Sequence, residues 1–409
     1  MRGKDIIIVA DQPWDIDIGS NIKNIAREFA KHNRVLYVNP PLDRISKIRK
    51  KRDPKIQKRL NVIKGYENDL VNNVDNLWIL YPKMVAESIN WVKPAGLYNR
   101  LNYLNNKRLA EEIKRSADCL GFQNFVIFND SLMFKGLYLK ELLNPSVHIY
   151  YTRDYLIIQP YFKRHGIRCE AEIMDKSDLV VANSTYLRDY AKQHNRNAYY
   201  VGQGCETEMF SEELVKEVPE EMKEIPRPRI TYVGYLTNMR LDIELLLSIA
   251  KSRPQWSLVL VGPEDEAFNN SQLHDLQNVY FLGPKAPDSL PAYVKGADVC
   301  INPQQINPLT IGNYPRKIDE YLAMGKPTVA TATKAMEVFE DYTYLAEDHT
   351  TFVRMLDKAM AEDNESVARG RKAFAGSHTW ENSVKAIYEA INKTYQNEPV
   401  EQEKILSGH

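Results

Sequence analysis

A chain of 409 residues, 44% of them hydrophobic, can bury two ordinary cores, and 54 Lys/Arg against 54 Asp/Glu leave it formally neutral. The neutrality hides a split, because residues 1–205 carry 33 basic and 22 acidic side chains while residues 206–409 carry 21 and 32, so the two halves differ in sign. No run of eighteen apolar residues occurs and the cysteines at 119, 169, 205 and 300 form no CxxC pair, which argues against a membrane span, a disulfide scaffold or structural zinc and sets the expected location as the cytoplasm.

Asp5 to Ala10 (DIIIVA) reads as a buried first strand. The loop from Asp11 to Gly19 leads to Ser20, an N-cap for a helix with Ile22, Ile25, Ala26 and Phe29 on one face. Val35 to Asn39 is a second strand, closed by Pro40 and Pro41. Residues 44–64 hold ten Lys/Arg and one Asp, interleaved with Ile45, Ile48, Ile56, Leu60 and Ile63. Part of it can form an amphipathic helix, broken near Pro54, that lies on an anionic bilayer surface with help from the aromatic-basic segment Trp91 to Tyr103; a solvated basic helix is the alternative. No stacking-aromatic module accompanies the charge, so nucleic acid is not expected as a partner.

Leu77 to Leu80, Asn124 to Phe128, Val147 to Tyr151 and Leu179 to Ala182 read as further strands, with helical segments Leu97 to Ala117 and Tyr161 to Lys176 between them. Asn129-Asp130 then lies at a strand's carboxyl end, where open α/β sheets hold ligands. Arg153 and Asp154 follow the next strand, and Arg153 can either pair with a carboxylate or face an anion. Residues 206–228 are acidic and contain Pro219, Pro226 and Pro228, the composition of a linker.

A second unit starts near Arg229. Ile230 to Val233, Trp256 to Gly262, Val279 to Gly283 and Val299 to Asn302 are its strands. The last opens through Pro303 into a loop, and a helix follows with Asn313 as its expected cap, Pro315 in the first turn, and Gly325 and Pro327 at its end. Arg316 and Lys317 occupy the first turn, where the macrodipole already presents positive charge, so they fit there best if an anion binds. Glu320 lies one turn on, beside Arg316. It suits a hydroxylated group held next to a phosphate, as in a nucleotide, or an ordinary ion pair with Arg316.

Glu320-Tyr-Leu-Ala-Met-Gly-Lys-Pro-Thr-Val resembles the E-A-M-A-x-G-x-P-V segment of glycosyltransferase family 4, and Pro315-Arg-Lys resembles a variant of its bacterial polysaccharide branch, teichuronic-acid-type transferases included. Gly234 to Arg240 resembles the family's G-x-L-x-x-x-K/R loop, and Trp380 in HTWEN its F-S-W-E segment. The resemblance implies a GT-B α/β fold of two Rossmann-like domains facing a cleft, 1–205 for the acceptor and 229–379 for the nucleotide sugar. It also implies a helix, 380–396, that crosses back to the first domain, before a polar tail over 397–409.

In that likeness Arg240 and Lys317 bind the diphosphate and Glu320 the ribose. Gly234, Gly283, Lys285, Pro303, Asn307, Leu309, Thr310 and Arg316 complete the donor site, while Gly19, Ser20, Asp130 and Arg153 line the acceptor side. Asp154 matches the aspartate of the family's His-Asp pair and is carried as a candidate catalytic residue, with Arg153 in place of the histidine. A second departure is Gly312, which stands where the family often has a glutamate near the donor sugar.

Asp15-Ile16-Asp17 has the D-x-D form by which another transferase architecture holds metal. No further carboxylate or histidine cluster supports it, so neither metal nor cofactor is expected. The implied activity is transfer of a sugar from a nucleotide-sugar donor to a carbohydrate or lipid-linked acceptor, with retention of configuration, in cell-surface polysaccharide synthesis at the inner face of the membrane. A sugar-nucleotide epimerase of the same fold and a non-catalytic nucleotide-sugar-binding scaffold are the alternatives.

Overall fold

The computed structural model describes residues 1–15, 20–49 and 53–396, with the backbone alone at Glu208. Gly19, Asp17 and the 397–409 tail lie outside the described residues.

The first half supplies β1 (Asp5–Ala10), β2 (Arg34–Val38), β3 (Leu42–Asp43), β4 (Leu70–Val74), β5 (Leu77–Leu80), β6 (Val85–Ala86), β7 (Val126–Asp130), β8 (Val147–Thr152), β9 (Leu179–Ala182) and β10 (Ala198–Tyr200). Eight of them form one sheet in the order β10-β9-β8-β7-β1-β2-β5-β4, parallel except for β4, and β3 pairs with β6 apart from it. The β1 sequence explains its central place. Ile6 and Ile8 enter the core on one face with Ile25 and Phe29, whereas Ile7 and Val9 enter the other with Leu109 and Ile113. A strand covered on both faces needs a continuous apolar run, as DIIIVA provides.

The second half supplies β11 (Arg229–Val233), β12 (Ser257–Val261), β13 (Val279–Gly283), β14 (Val299–Asn302), β15 (Thr328–Thr331) and β16 (Tyr344–Ala346), parallel in the order β13-β12-β11-β14-β15-β16. In each sheet the strand order reverses beside the first strand, between β1 and β7 and between β11 and β14. Ligands of open α/β sheets bind at the carboxyl ends next to such reversals. The two Rossmann-like units expected from the sequence are therefore present.

The helix Trp380–Gln396 crosses back to the first unit, where Val384, Ile387, Ala390 and Ile391 join the core around Phe29. The Tyr388 ring stacks on Phe29 at 5.7 Å, and Asn33 Nδ2 donates to the Tyr388 hydroxyl (3.0 Å). At Gly204 a Cβ would fall within 2.6 Å of Trp380 backbone and ring atoms, so the crossing requires a residue without a side chain there.

Asp130 does lie at a strand's carboxyl end, as the last residue of β7, which runs two residues further than its apolar stretch. Other local expectations are corrected. The segment 161–176 is not one helix. It breaks between Pro160–Lys163 and Gly166–Lys176, where His165 stacks on Tyr98 at 3.7 Å and donates from Nε2 to Val92 O (2.8 Å).

Within 44–64, the helix Pro54–Lys64 turns Leu60 and Val62 into the protein, and Arg59 is tied to Pro40 O (2.7 Å) and Asp15 (3.2 Å). Among the described residues of 44–64, the exposed large apolar side chains are Ile45 and Ile48, on the helix Arg44–Arg49. The acidic segment 206–228 is packed as well, with Phe210, Met222 and Ile225 in the second unit's core.

Candidate functional site

The helix Arg316–Ala323 is fixed against β11 by the buried Tyr321, whose hydroxyl accepts from Val233 N (3.0 Å) and donates to Val233 O (3.3 Å). This sets Lys317 over the end of the strand. Its Nζ donates to the Tyr232 hydroxyl and lies 4.0 Å from that ring's centroid. Gly234 follows with φ +145°, and a Cβ on it would fall 2.9 Å from Lys317 Nζ. The backbone angle requires glycine here, and a Cβ would also push the ammonium aside.

The helix starts without a side-chain cap. Asn313, expected to cap it, instead spans the cleft. With its carboxamide oriented to satisfy both neighbours, it accepts from Arg240 Nη1 (2.9 Å) and donates to Asp154 Oδ1 (3.3 Å). Arg316 Nε is buried with no partner. The alternative Arg316–Glu320 ion pair is not formed among the described residues, and burial pushes the Glu320 carboxyl up against the opposing pull of Arg316 and Lys317. Arg240, Arg316 and Lys317 all lack a carboxylate within ion-pair distance among the described residues. Cations at an uncapped helix start, beside the strand reversal, make a local field that favours an anion.

The remaining donor-side candidates divide. Gly283 ends β13 with φ +68° and open space around its Cβ position. Lys285 pairs with Glu221 (2.6 Å) and stands over Tyr293, so its charge is already matched. Pro303 is buried, and its carbonyl accepts from Asp242 N (2.9 Å). Asn307 organises its own loop, accepting from Leu309 N (2.9 Å) and Thr310 N (3.2 Å) and donating to Met239 O (3.1 Å). Thr310 is fully buried and its hydroxyl donates to Gln305 O. Leu309 is half-buried.

Across the cleft, fully buried Asp130 accepts from Arg153 Nε (2.9 Å), and Arg153 Nη1 donates to Asp154 Oδ2 (3.0 Å). Burial pushes the Asp130 carboxyl up and Arg153 offsets it. Of the two roles open to Arg153, the structure shows the carboxylate pair. Ser20 stands at the N-cap of the helix Asn21–Ala30, yet its hydroxyl donates to Gln12 Oε1 (2.6 Å) and caps nothing. Gly312 lies under Tyr186 of the first unit, where a Cβ would meet the ring at 2.6 Å, and Gly312 O accepts from Ser184 Oγ (2.8 Å). A tyrosine fills the space a longer side chain would need.

Gln12, Tyr186, Tyr232 and the bridging role of Asn313 were not singled out from sequence. Nor was a buried cluster at the domain junction. There Asp319 accepts from Tyr314 OH (2.8 Å) and Cys205 Sγ (3.0 Å) and meets His378 Nδ1 (2.6 Å), while Cys205 N donates to His378 O (2.9 Å). Among the described residues, no group of three or more His, Cys, Asp or Glu could hold a metal, and no helix is long and apolar enough to cross a membrane.

Comparison with known proteins agrees with this geometry. Two solved structures match nearly the whole chain: sucrose-phosphate synthase (tll1590) from Thermosynechococcus elongatus and Anabaena Alr3699/HepE in complex with UDP. Each has a TM-score of 0.65 and covers 96% of this chain, at 14% and 15% identity and with 99% and 100% of the solved chain matched. The fold is GT-B. Residues 227–362, the greater part of the second GT-B domain, match the family Glycosyl transferases group 1. A putative teichuronic acid biosynthesis glycosyltransferase of Bacillus subtilis (strain 168), TuaH, is 28% identical over 235 residues. That match covers 54% of this chain and 58% of the relative's length. The chain thus resembles the group 1 glycosyltransferases most clearly through the domain that carries Arg240, Lys317 and Glu320.

Proposed function

We propose that this protein is a nucleotide-sugar-dependent glycosyltransferase that moves a sugar to a carbohydrate or lipid-linked acceptor in cell-surface polysaccharide synthesis. The observation that carries the reading is the set of cations without a carboxylate at ion-pair distance among the described residues: Lys317, which meets Gly234 at the β11/β14 reversal, its neighbour Arg316 on the same helix, and Arg240 in the loop after β11. A nucleoside diphosphate supplies the anion they lack. Lys317 and Arg240 neutralise the charge that collects on the diphosphate as the bond from the sugar's anomeric carbon to the phosphate oxygen breaks, and Glu320 accepts from the ribose hydroxyls. The acceptor hydroxyl forms the new bond from the Asp130–Arg153–Asp154 side. Retention of configuration is part of the reading and rests on the family resemblance alone. A cytoplasmic enzyme at the inner face of the membrane fits a lipid-linked acceptor, and exposed Ile45 and Ile48 in a basic helix support that location.

The test is thermal unfolding with UDP-, GDP-, dTDP- and CMP-sugars on the wild type, Lys317→Ala and Glu320→Ala. One nucleotide class should raise the melting temperature of the wild type and do so far less in either variant. Equal shifts in all three proteins, or none in the wild type, reject the site. The second reading, a binding or scaffold protein without turnover, is favoured by Tyr186 over Gly312 and by the ion-paired Arg153. Donor binding without sugar transfer or hydrolysis would select it.

A further inference from the structure

The first domain contains a cavity of about 760 Å³ walled by segments that follow β2, β7 and β8, well within the size of small-molecule sites. Its walls separate by chemistry. Ile45, Ile89, Trp91, Tyr98, Phe134 and Tyr161 supply apolar surface, and Lys135, Lys163 and Arg164 supply charge. The acids on the wall are already engaged. Asp43 accepts from Ser46 Oγ (2.6 Å) and Ser88 Oγ (3.1 Å), and Glu87 pairs with Arg44 (2.8 Å). None of the three cations has a carboxylate within ion-pair distance among the described residues, although Arg164 donates to Asn90 O (3.2 Å). Asn90 Oδ1 is buried beside them with no donor to accept from, an atom suited to a ligand hydroxyl.

The mouth of the cavity is apolar too. Trp91 is 71% exposed, and Ile48, one turn beyond Ile45, is 72% exposed. Side chains of this kind, beside cations of which Lys135 feels Asp43 only at a distance and none has a carboxylate at ion-pair distance among the described residues, complement a molecule with one anionic and one apolar end. The cavity wall also lies within electrostatic reach of the cleft. Desolvation, then Asp11 and Asp43, hold the Tyr161 phenol above its ordinary value, and Asp11 N donates to Asp130 O (3.5 Å).

We propose that this cavity binds the phosphate end and the first apolar segment of a membrane-held, lipid-linked acceptor, with the phosphate on Lys135, Lys163 and Arg164 and the chain against Trp91, Phe134 and Tyr161. The acceptor role rests on the transferase reading given above; the lipid-phosphate site does not.

The test follows tryptophan emission of the full chain during titration with decyl phosphate below its micelle concentration, with decyl glucoside and inorganic phosphate as comparisons. Decyl phosphate should give a saturable blue shift that Trp91→Phe abolishes and that is at least tenfold weaker in Lys135→Ala/Lys163→Ala/Arg164→Ala. Unchanged nucleotide stabilisation of that triple variant would show that it folds. Decyl glucoside binding as tightly as decyl phosphate, inorganic phosphate displacing decyl phosphate at equal concentration, or no saturation at all would each overturn the proposal. Nucleotide stabilisation without decyl phosphate binding refutes the cavity alone. Decyl phosphate binding without any nucleotide response refutes the transferase reading and the acceptor role with it.

Discussion

Replacing Lys317 with alanine removes one positive charge from the end of β11 and leaves Tyr232 and Gly234 in place. An ammonium about 4 Å from a phosphate charge gains roughly 4 kcal/mol at an effective dielectric constant near 20. Arg240 and Arg316 remain to share the anion, so we expect a loss of about 2.7 kcal/mol, or ~100-fold in Kd. The consequence can be read in melting temperature. Ligand at ~100 times its Kd stabilises the wild type by about 2.7 kcal/mol, whereas the same concentration sits near the variant's Kd and contributes only about 0.4 kcal/mol. For domains of this size that lowers the nucleotide-induced shift from roughly 5–10 °C to about 1 °C.

Tyr232→Phe separates charge from position. It keeps the ring beneath Lys317 Nζ and loses only the phenolic acceptor, so nucleotide affinity should fall by less than ~10-fold. A Lys317→Ala protein that nucleotide stabilises as strongly as wild type would refute the assignment, as would a Tyr232→Phe effect larger than that of Lys317→Ala.

Three further outcomes follow from packing and titration. Gly312→Ala should lower stability by about 1–3 kcal/mol in urea unfolding, because its Cβ meets the Tyr186 ring; Gly312→Ala/Tyr186→Ala should recover most of that loss, and an additive loss would show the clash is not the cause. Glu170 is buried between the hydroxyls of Tyr150 (3.0 Å) and Tyr190 (3.3 Å), and burial pushes its carboxyl up from 4.5 to about 7. The folded state therefore holds the proton more tightly, so this contribution is complete below about pH 4.5 and is lost as pH rises through about 7, to the extent of about 3 kcal/mol. Glu170→Gln should flatten that part of the stability–pH curve between pH 5 and pH 8, and parallel curves would contradict the shift. Asp319→Asn should cost about 2–3 kcal/mol through its contacts with His378, Tyr314 and Cys205; a melting temperature unchanged within a degree would remove the cluster's structural role.

Much of the fold was legible because parallel strands buried on both faces must be continuously apolar. DIIIVA, SLVLV and LVVA each announce a strand of nearly the observed length. The helix Arg316–Ala323 was legible from its flanking Pro and Gly and from Ile318 and Leu322. Polar side chains were a different matter. Ser20 and Asn313 have the chemistry of caps, but Gln12 takes the hydroxyl of one and the far wall of the cleft takes the carboxamide of the other.

Such choices are made between residues distant in sequence, as with Asn313 and Asp154 or Gly312 and Tyr186, and no local spacing encodes them. The apolar pattern of 54–64 was legible as amphipathic, but not what its apolar side would meet. Val62 settles in the core that holds Phe29 and Tyr37, so that helix packs one side onto the first domain and leaves Ile45 and Ile48 to the outside.

The joined crossings at Cys205 and His378 constrain how this molecule can open. A single connecting strand would let two lobes twist and slide freely, whereas two lying side by side act like the spine of a book and leave chiefly one rotation. Asp319 is bound to both sides of that spine and sits on the same helix as Arg316, Lys317 and Glu320. The fore-edge of the book is the Arg240–Asn313–Asp154 clasp. Opening the pages would therefore break the clasp together with the Ser184–Gly312 contact, and swing the first domain away from the helix that carries Arg316, Lys317 and Glu320.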